Sequence, residues 1–166
     1  SRIITELVRD FGAYPEAGVI ASGFKTSVLL AALANGVMAH ALDYDDISIK
    51  FLAHPSVNLV PAILALAEKR RISGKEILSS YIIGFEVGAN LGHIMGMTFF
   101  GRGWHATSIL GSIGAAAASA KIFGLDVQKT RLALGIAASL AGGLKINFGS
   151  MTKPLHTGNA ARNGIL

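Results

Sequence analysis

The chain has 166 residues, of which 51% are hydrophobic and 15% charged, so it is long enough for one domain with a buried core. Because it contains no cysteine, disulfides, thiolate zinc sites and cysteine-ligated iron–sulfur clusters are excluded within this chain. The net charge of +5 comes from scattered basic residues and suits a small anion as well as nucleic acid.

The apolar stretches predict buried helices. The two longest stretches without a charged residue, Thr26–Leu42 and Phe51–Ala67, fall short of the roughly 20 apolar residues that a membrane span needs. Ser1–Arg9 carries charges throughout and lacks the apolar core of a signal peptide. We therefore expect a cytoplasmic protein, without a membrane or nucleic-acid partner.

In the first half of the chain, helical spacing of apolar residues predicts helices over Ser1–Phe11, Ser27–Leu42 and Ser56–Arg71. The second of these is apolar on all sides and should be central. Between the first two, Gly12–Phe24 mixes glycine and proline with a short apolar run. This segment fits either an extended connection or a small strand.

The clearest helix signal follows at Ser73, where Ser-Gly-Lys-Glu matches a capping box. It predicts a helix over Gly74–Met95. Within that helix Gly84, Gly88 and Gly92 recur every four residues, which leaves one stripe without side chains. A neighbouring backbone can approach closely along such a stripe.

The second half predicts three more helices and two loops. Met97–Gly103 reads as a loop, and Trp104–Thr107 opens an Ala-rich helix that Gly124 ends. Asp126 caps the next helix, which runs to about Leu140. Gly142–Thr157 is predicted as a long irregular segment, followed by a last helix from Gly158 onward. The sequence thus predicts an all-α, Ala/Gly-rich bundle of about seven helices.

One polar segment stands out between two apolar runs. It begins at His40, contains Asp43, Asp45 and Asp46, and closes with His54. Acids and histidines against an apolar wall have shifted pKa values and mark functional sites more often than ordinary surface does. The same residues also fit a solvated loop between helices, and the local pattern leaves the two interpretations even.

Four stretches of the chain match a family pattern in order and spacing. They are Ala34–Gly36 running into His40–Asp46, then His54–Ser56, Gly103–Thr107 and Met151–Ala160. With the Ala/Gly-rich helices between them, they resemble the MmgE/PrpD family, which includes 2-methylcitrate dehydratase, cis-aconitate decarboxylase and iminodisuccinate epimerase. The resemblance covers nearly the whole chain.

The resemblance implies that this chain is a single helical domain over residues 1–166 and a fragment of a longer chain. It corresponds to most of the family's helical domain, and the smaller α+β domain that completes the family's cleft is absent from it. We expect truncation at the C-terminus and also at the N-terminus, and a homodimer as the assembly. The family's chemistry implies no cofactor.

The family's site residues carry over one by one. The resemblance implies that Asp43, His54, His105 and Lys153 line an active site and face a bound polycarboxylate. His156 lies in the same motif and is a weaker candidate for substrate binding. Relatives often place a hydroxyl residue directly after the double aspartate. Here Ile47 stands there, so a substrate contact at that position is not expected.

The residue types fit lyase chemistry on a polycarboxylate. Lys153 suits the binding of carboxylates, with Arg102 as a helper. His54 and His105 suit the base and the acid, because a histidine changes charge near neutral pH. Asp43 is expected to orient one histidine, either His54 or, at three residues' spacing, His40.

Two other interpretations of the polar segment stay open. Asp45 and Asp46 are expected to be solvated residues or partners of a helix end. A metal site is a minor alternative, formed by His40, Asp43, Asp46 and His54. Because three-residue steps drift around a helix, we expect no metal.

The leading functional hypothesis is a cofactor-independent lyase similar to 2-methylcitrate dehydratase, which removes water to give 2-methylaconitate in propionate metabolism. A cis-aconitate-type decarboxylase or an iminodisuccinate-type epimerase on the same scaffold is the first alternative. A non-catalytic helical oligomerisation domain is the second. We expect residues 1–166 alone to be inactive.

Overall fold

Helices make up most of the chain, as the sequence predicts. The computed structural model describes residues 1–166. Two short strands, β1 (Ala17–Val19) and β2 (Phe24–Thr26), form an antiparallel hairpin. The helices are α1 (Arg2–Phe11), α2 (Val28–Ala39), α3 (Ser56–Arg70), α4 (Gly74–Met95), α5 (Thr98–Gly101), α6 (Ala106–Phe123), α7 (Val127–Leu140) and α8 (Thr152–Asn163).

Helix α6 is the central element, in contact with α3, α4, α7 and α8. It is long and apolar enough to cross a membrane, but 72% of its residues are buried inside this domain. Its small side chains pack against larger ones from α3, so that Ala115 and Ala118 share a core with Leu59, Ile63 and Leu66. Helix α2 closes this core from the side of α3 and α8.

The predicted helix ends are confirmed at three places. The Ser73 hydroxyl accepts from the Glu76 amide at 3.3 Å while the Glu76 carboxylate accepts from the Ser73 amide at 2.9 Å. Asp126 accepts from the Lys129 amide at 2.8 Å and begins α7. Gly124 ends α6 at φ 66°, a left-handed conformation that glycine adopts at little cost.

The glycine stripe of α4 is a contact surface, as predicted. A Cβ atom on Gly84 would lie 2.7 Å from the Gly114 carbonyl oxygen of α6. At Gly88 and Gly92 it would meet the Phe51 ring and the backbone at Lys50, which belong to the segment between α2 and α3. The stripe therefore lets α4 approach both the central helix and the polar segment.

Three predicted boundaries are wrong. Helix α2 ends at Ala39 rather than Leu42, because the chain turns at His40 and places Asp43 at φ 53°. Thr98–Gly101 forms a short helix where a loop was predicted. Helix α8 begins at Thr152 rather than Gly158. Pro154 fits the first turn of α8, where the backbone needs no intrahelical donor. Gly158 lies inside α8 and packs so closely on α2 that a side chain there would clash with Leu33.

Gly84→Ala should destabilise the protein by about 1–3 kcal/mol, since the added methyl group meets backbone that cannot move aside. Gly135→Ala in α7 is the matched control: nothing lies within 4 Å of the new Cβ, and the variant should be neutral or more stable by up to about 1 kcal/mol. Urea unfolding of the two variants measures the difference, and equal stabilities would contradict the close approach of α4 and α6.

Candidate active site

Side chains from four segments meet at the ends of α2, α3, α6 and α8. His40 caps the end of α2, and His54 comes two residues before α3 begins. His105 caps the start of α6, while Lys153 and His156 lie on the first turns of α8. The fold thus brings together Asp43, His54, His105, Lys153 and His156, all of which the sequence marked as candidates.

The carboxylate of Asp45 joins two of the histidines. It accepts a hydrogen bond from Nδ1 of His40 at 2.9 Å, and its other oxygen lies 3.0 Å from Nδ1 of His54. The Asp45 side chain is only 9% exposed and that of His40 is fully buried. The prediction that Asp45 is a solvated or helix-end residue is therefore wrong.

Asp43 lies near both of the histidines that it was expected to serve, and it is hydrogen-bonded to Lys153. Its Oδ1 accepts a hydrogen bond from Lys153 Nζ at 2.6 Å, and it lies 3.6 Å from His40 Nε2 and 3.9 Å from His54 Nε2. Asp45, rather than Asp43, accepts the hydrogen bond of His40. We call the three nitrogens around Asp43 Oδ1, namely His40 Nε2, His54 Nε2 and Lys153 Nζ, the anion cradle.

A second pair of histidines completes the cluster. Nδ1 of His105 lies 3.0 Å from Nδ1 of His156, and both rings are buried. The His105 ring also stacks on His40 at 6.2 Å between centroids and contacts the edge of Phe148. Phe148 further lies 5.3 Å from Lys153 Nζ, so one aromatic ring touches both ends of the cluster.

Burial sets the charge of the cluster. It lowers the pKa of His40, although the hydrogen bond to Asp45 opposes the effect. It also lowers the pKa of His156, and it lowers that of His105 to about 3, where the neighbouring His156 adds to the effect. The hydrogen bond from Lys153 lowers the pKa of Asp43. At neutral pH these three imidazoles are neutral and the Asp43 carboxylate is charged.

The remaining predicted residues lie outside the cluster. Asp46 accepts hydrogen bonds from the Ser56 amide and hydroxyl and so serves the start of α3, as expected of a helix-end partner. Arg102 is exposed and borders a separate open hollow with Lys145. A substrate contact from Arg102 stays a prediction. The Ile47 side chain is 75% exposed.

Sequence reasoning underrated two residues of the cluster, His40 and Asp45. The only sequence signal was their position at either side of a helix end, five residues apart. Helical spacing pointed instead to His40 with Asp43, because it assumes that the helix continues. The turn after Ala39 removes that assumption and lets Asp45 fold back onto the ring.

A metal ion has a possible set of ligands here. His40, Asp43, Asp45 and His54 offer atoms within 4.8 Å of one another. Asp46, which the sequence drew into such a site, is bonded to Ser56 instead. The ammonium group of Lys153 already supplies a cation to Asp43 at 2.6 Å. The positive charge of Lys153 therefore already balances the exposed carboxylate of Asp43.

The cluster can bind an anion and exchange protons with it. The Asp43 side chain is 57% exposed, so the cradle opens to the outside. Nε2 of His40 and Nδ1 of His54 are buried without a hydrogen-bond partner in the chain, so each can still form a hydrogen bond. Three nitrogens that converge on one carboxylate oxygen form a site that a ligand carboxylate can also occupy.

Comparison with known proteins gives consistent matches. The family model described as MmgE/PrpD N-terminal domain matches residues 1–166. The chain is 40% identical to the cis-aconitate decarboxylase of Homo sapiens over 140 residues, which are 81% of this chain and 29% of that protein. It is 36% identical to the cis-aconitate decarboxylase of Aspergillus terreus over 155 residues, which are 89% of this chain and 32% of that protein. The chain thus spans less than a third of these relatives.

Asp45→Asn should lower the pKa of His40 further, because the Asp45 carboxylate is the group that raises it against the effect of burial. Histidine proton signals followed by NMR during a pH titration measure the change. Asp46→Asn is the matched control and should leave His40 unaffected, since Asp46 bonds to Ser56. An unchanged His40 titration in Asp45→Asn would contradict the assigned pairing.

The free energy of unfolding should fall as the pH drops from 7 to 5. The unfolded His105 takes up a proton near pH 6.5, whereas the folded one stays neutral down to about pH 3. Acid therefore favours the unfolded state, by about 2 kcal/mol from this residue at pH 5. Urea unfolding at both pH values should show that His105→Asn loses less unfolding free energy than the unaltered protein, by that amount. An equal loss in the two proteins would refute the assignment.

Proposed function

The chain belongs to the MmgE/PrpD family, and from this premise we propose that it forms the helical part of an enzyme that decarboxylates a small tricarboxylate of the cis-aconitate type. The anion cradle is the observation that carries the proposal. It offers one cation and two imidazoles to a carboxylate at an open face of the domain. The net charge of +5 favours the approach of a polyanion.

The relatives change the order of the hypotheses. The sequence ranked 2-methylcitrate dehydration first and cis-aconitate decarboxylation as an alternative. Matches at 36–40% identity to cis-aconitate decarboxylases of an animal and a fungus support the alternative. Dehydration of 2-methylcitrate and epimerisation of iminodisuccinate stay as reactions to be compared in the assay.

The proposed reaction breaks one C–C bond and uses one proton. As the bond to the departing carboxylate breaks, its electron pair forms a new C=C bond and carbon dioxide leaves. The electron pair of the old C=C bond takes a proton at the alkene carbon beside another carboxylate. The site must therefore hold the carboxylates with positive groups and deliver a proton at one carbon.

The residues of the cluster divide these tasks. Lys153 holds a substrate carboxylate at the cradle, with Asp43 as its partner in the free protein. We assign the proton delivery to His54, because its Nε2 lies at the cradle, 3.9 Å from Asp43 Oδ1, and its side chain is partly exposed. His40 and His105, neutral in the free protein, gain protons when a polyanion approaches and then donate hydrogen bonds to it.

The open face of the cluster gives the rest of the protein a role. The cradle has one wall in this chain, and the chain spans less than a third of the relatives' length. We propose that the opposite wall comes from the remaining part of the enzyme, and that residues 1–166 alone are inactive. The predicted homodimer and cytoplasmic location stay predictions.

Turnover of cis-aconitate, 2-methylcitrate and iminodisuccinate by the full-length protein tests the proposal, which predicts release of carbon dioxide from cis-aconitate. Lys153→Met should lower kcat/KM by about 10–100-fold through loss of a charged hydrogen bond. His54→Gln should lower kcat by about 100-fold or more. Lys129→Met is the control, because Lys129 lies on the exposed side of α7 and pairs with Asp126.

If the enzyme turns over 2-methylcitrate in preference to cis-aconitate, the reaction assigned to this site would be dehydration instead of decarboxylation. No turnover of any of the three compounds would contradict the enzymatic proposal, and unchanged turnover in Lys153→Met would reject the role of that residue.

A further inference from the structure

Two buried imidazoles meet through the same ring atom. His105 Nδ1 and His156 Nδ1 lie 3.0 Å apart, and the rings are 3% and 7% exposed. A neutral imidazole carries a hydrogen on one nitrogen and a lone pair on the other. A hydrogen bond at this distance needs one Nδ1–H and one bare Nδ1. The two rings must therefore be opposite tautomers.

Both rings of the pair are neutral in the free protein. Neither forms an ion pair with a carboxylate, in contrast to His40 and His54. Burial lowers the pKa of both rings, and the positive charge of Lys153 lowers that of His105 further. The two Nδ1 atoms share a single hydrogen, and the ring that carries this hydrogen has its lone pair on Nε2.

The surroundings favour His105 as the donor. Lys153, the permanent cation of the cluster, disfavours positive charge on His105, whereas it is not among the groups that act on His156. Positive surroundings favour a lone pair on the outward-facing Nε2 of His105, which leaves the hydrogen on its Nδ1. Neither Nε2 has a partner within the chain, and neither is among the fully buried atoms.

The far side of His156 offers acceptors for the opposite tautomer. His156 lines a polar hollow of about 340 Å³ together with Asn147 and Asn159. The side-chain oxygens of these two asparagines accept no hydrogen bond from the protein, and the hollow has room for water. An Nε2–H on His156 can thus be satisfied there, which leaves its Nδ1 bare toward His105.

We propose that His156 is a positioning residue for His105: it accepts a hydrogen bond from His105 Nδ1–H and fixes the tautomer whose lone pair lies on Nε2. This differs from the direct substrate contact that the sequence suggested for His156. Its consequence for turnover rests on the proposed function. When a polyanion binds, a proton adds at His105 Nε2, and the Nδ1–H of the resulting imidazolium still donates to His156 Nδ1.

NMR of protein labelled with ¹⁵N-histidine tests the tautomers without any assay of activity. We expect His105 Nδ1 to be protonated, His156 Nδ1 to be bare, and a scalar coupling to join the two nitrogens. Signals that disappear in His156→Asn and in His105→Asn assign the rings. Absence of the coupling, or a hydrogen on His156 Nδ1, would overturn the proposal.

Kinetics of the full-length enzyme test the consequence. His156→Asn keeps an oxygen acceptor near the position of Nδ1, whereas His156→Leu fills similar space without one. We expect KM to rise by about 10-fold or more in the leucine variant, because a hydrogen bond to a charged ring is lost, and to return toward the original value in the asparagine variant. The kcat value should change by less than KM.

Equal KM values in two folded variants would contradict the positioning role. If the full-length protein turns over no polycarboxylate, the proposed function fails, and the NMR result on the unaltered protein still decides the tautomer of His105.

Discussion

The buried carboxylate of Asp45 is the group on which the site depends, because it ties together two histidines that arrive from different helices. His40 ends α2 and His54 precedes α3, and Asp45 reaches both within 3.0 Å. A carboxylate that is 9% exposed needs such partners, since an unpaired buried charge costs several kcal/mol. This contact fixes the turn between the helices and places Asp43 opposite Lys153.

The charges of the cluster explain why it suits a polyanion. Lys153 supplies permanent positive charge, Asp43 neutralises it in the free protein, and burial keeps the imidazoles of His40 and His105 neutral. An incoming carboxylate can share Lys153 with Asp43 and draw protons onto the histidines. Binding and proton supply are thereby coupled, as the proposed decarboxylation with protonation at carbon would require.

Much of the fold follows from local signals in the sequence. The capping box at Ser73, the cap at Asp126 and Gly124 each determine a helix end through a few neighbouring atoms, and each prediction is confirmed. The start of α8 was missed because Met151 offers no side-chain cap. Its helical turns, which carry Lys153 and His156, are stabilised by the close contact of Gly158 with α2.

The site was predictable as a set of residues but not as a set of pairs. Family motifs pointed to Asp43, His54, His105 and Lys153, and the fold brings these side chains together. The pairs of Asp45 with His40 and of His105 with His156 depend on a helix end and on contacts between residues 51 apart, which no spacing rule contains. Burial, which sets the charge of each histidine, is likewise a property of the packed domain.

If a polycarboxylate binds at the cradle as proposed, it should charge histidines that are neutral in the free protein. Calorimetric titration of the full-length protein with tricarballylate, a tricarboxylate without the C=C bond that the proposed reaction needs, at pH 7 in two buffers of different ionisation enthalpy measures the protons that accompany binding. We expect net proton uptake, because His40 and His105 are neutral before the ligand enters. Binding without proton uptake, or with proton release, would contradict it.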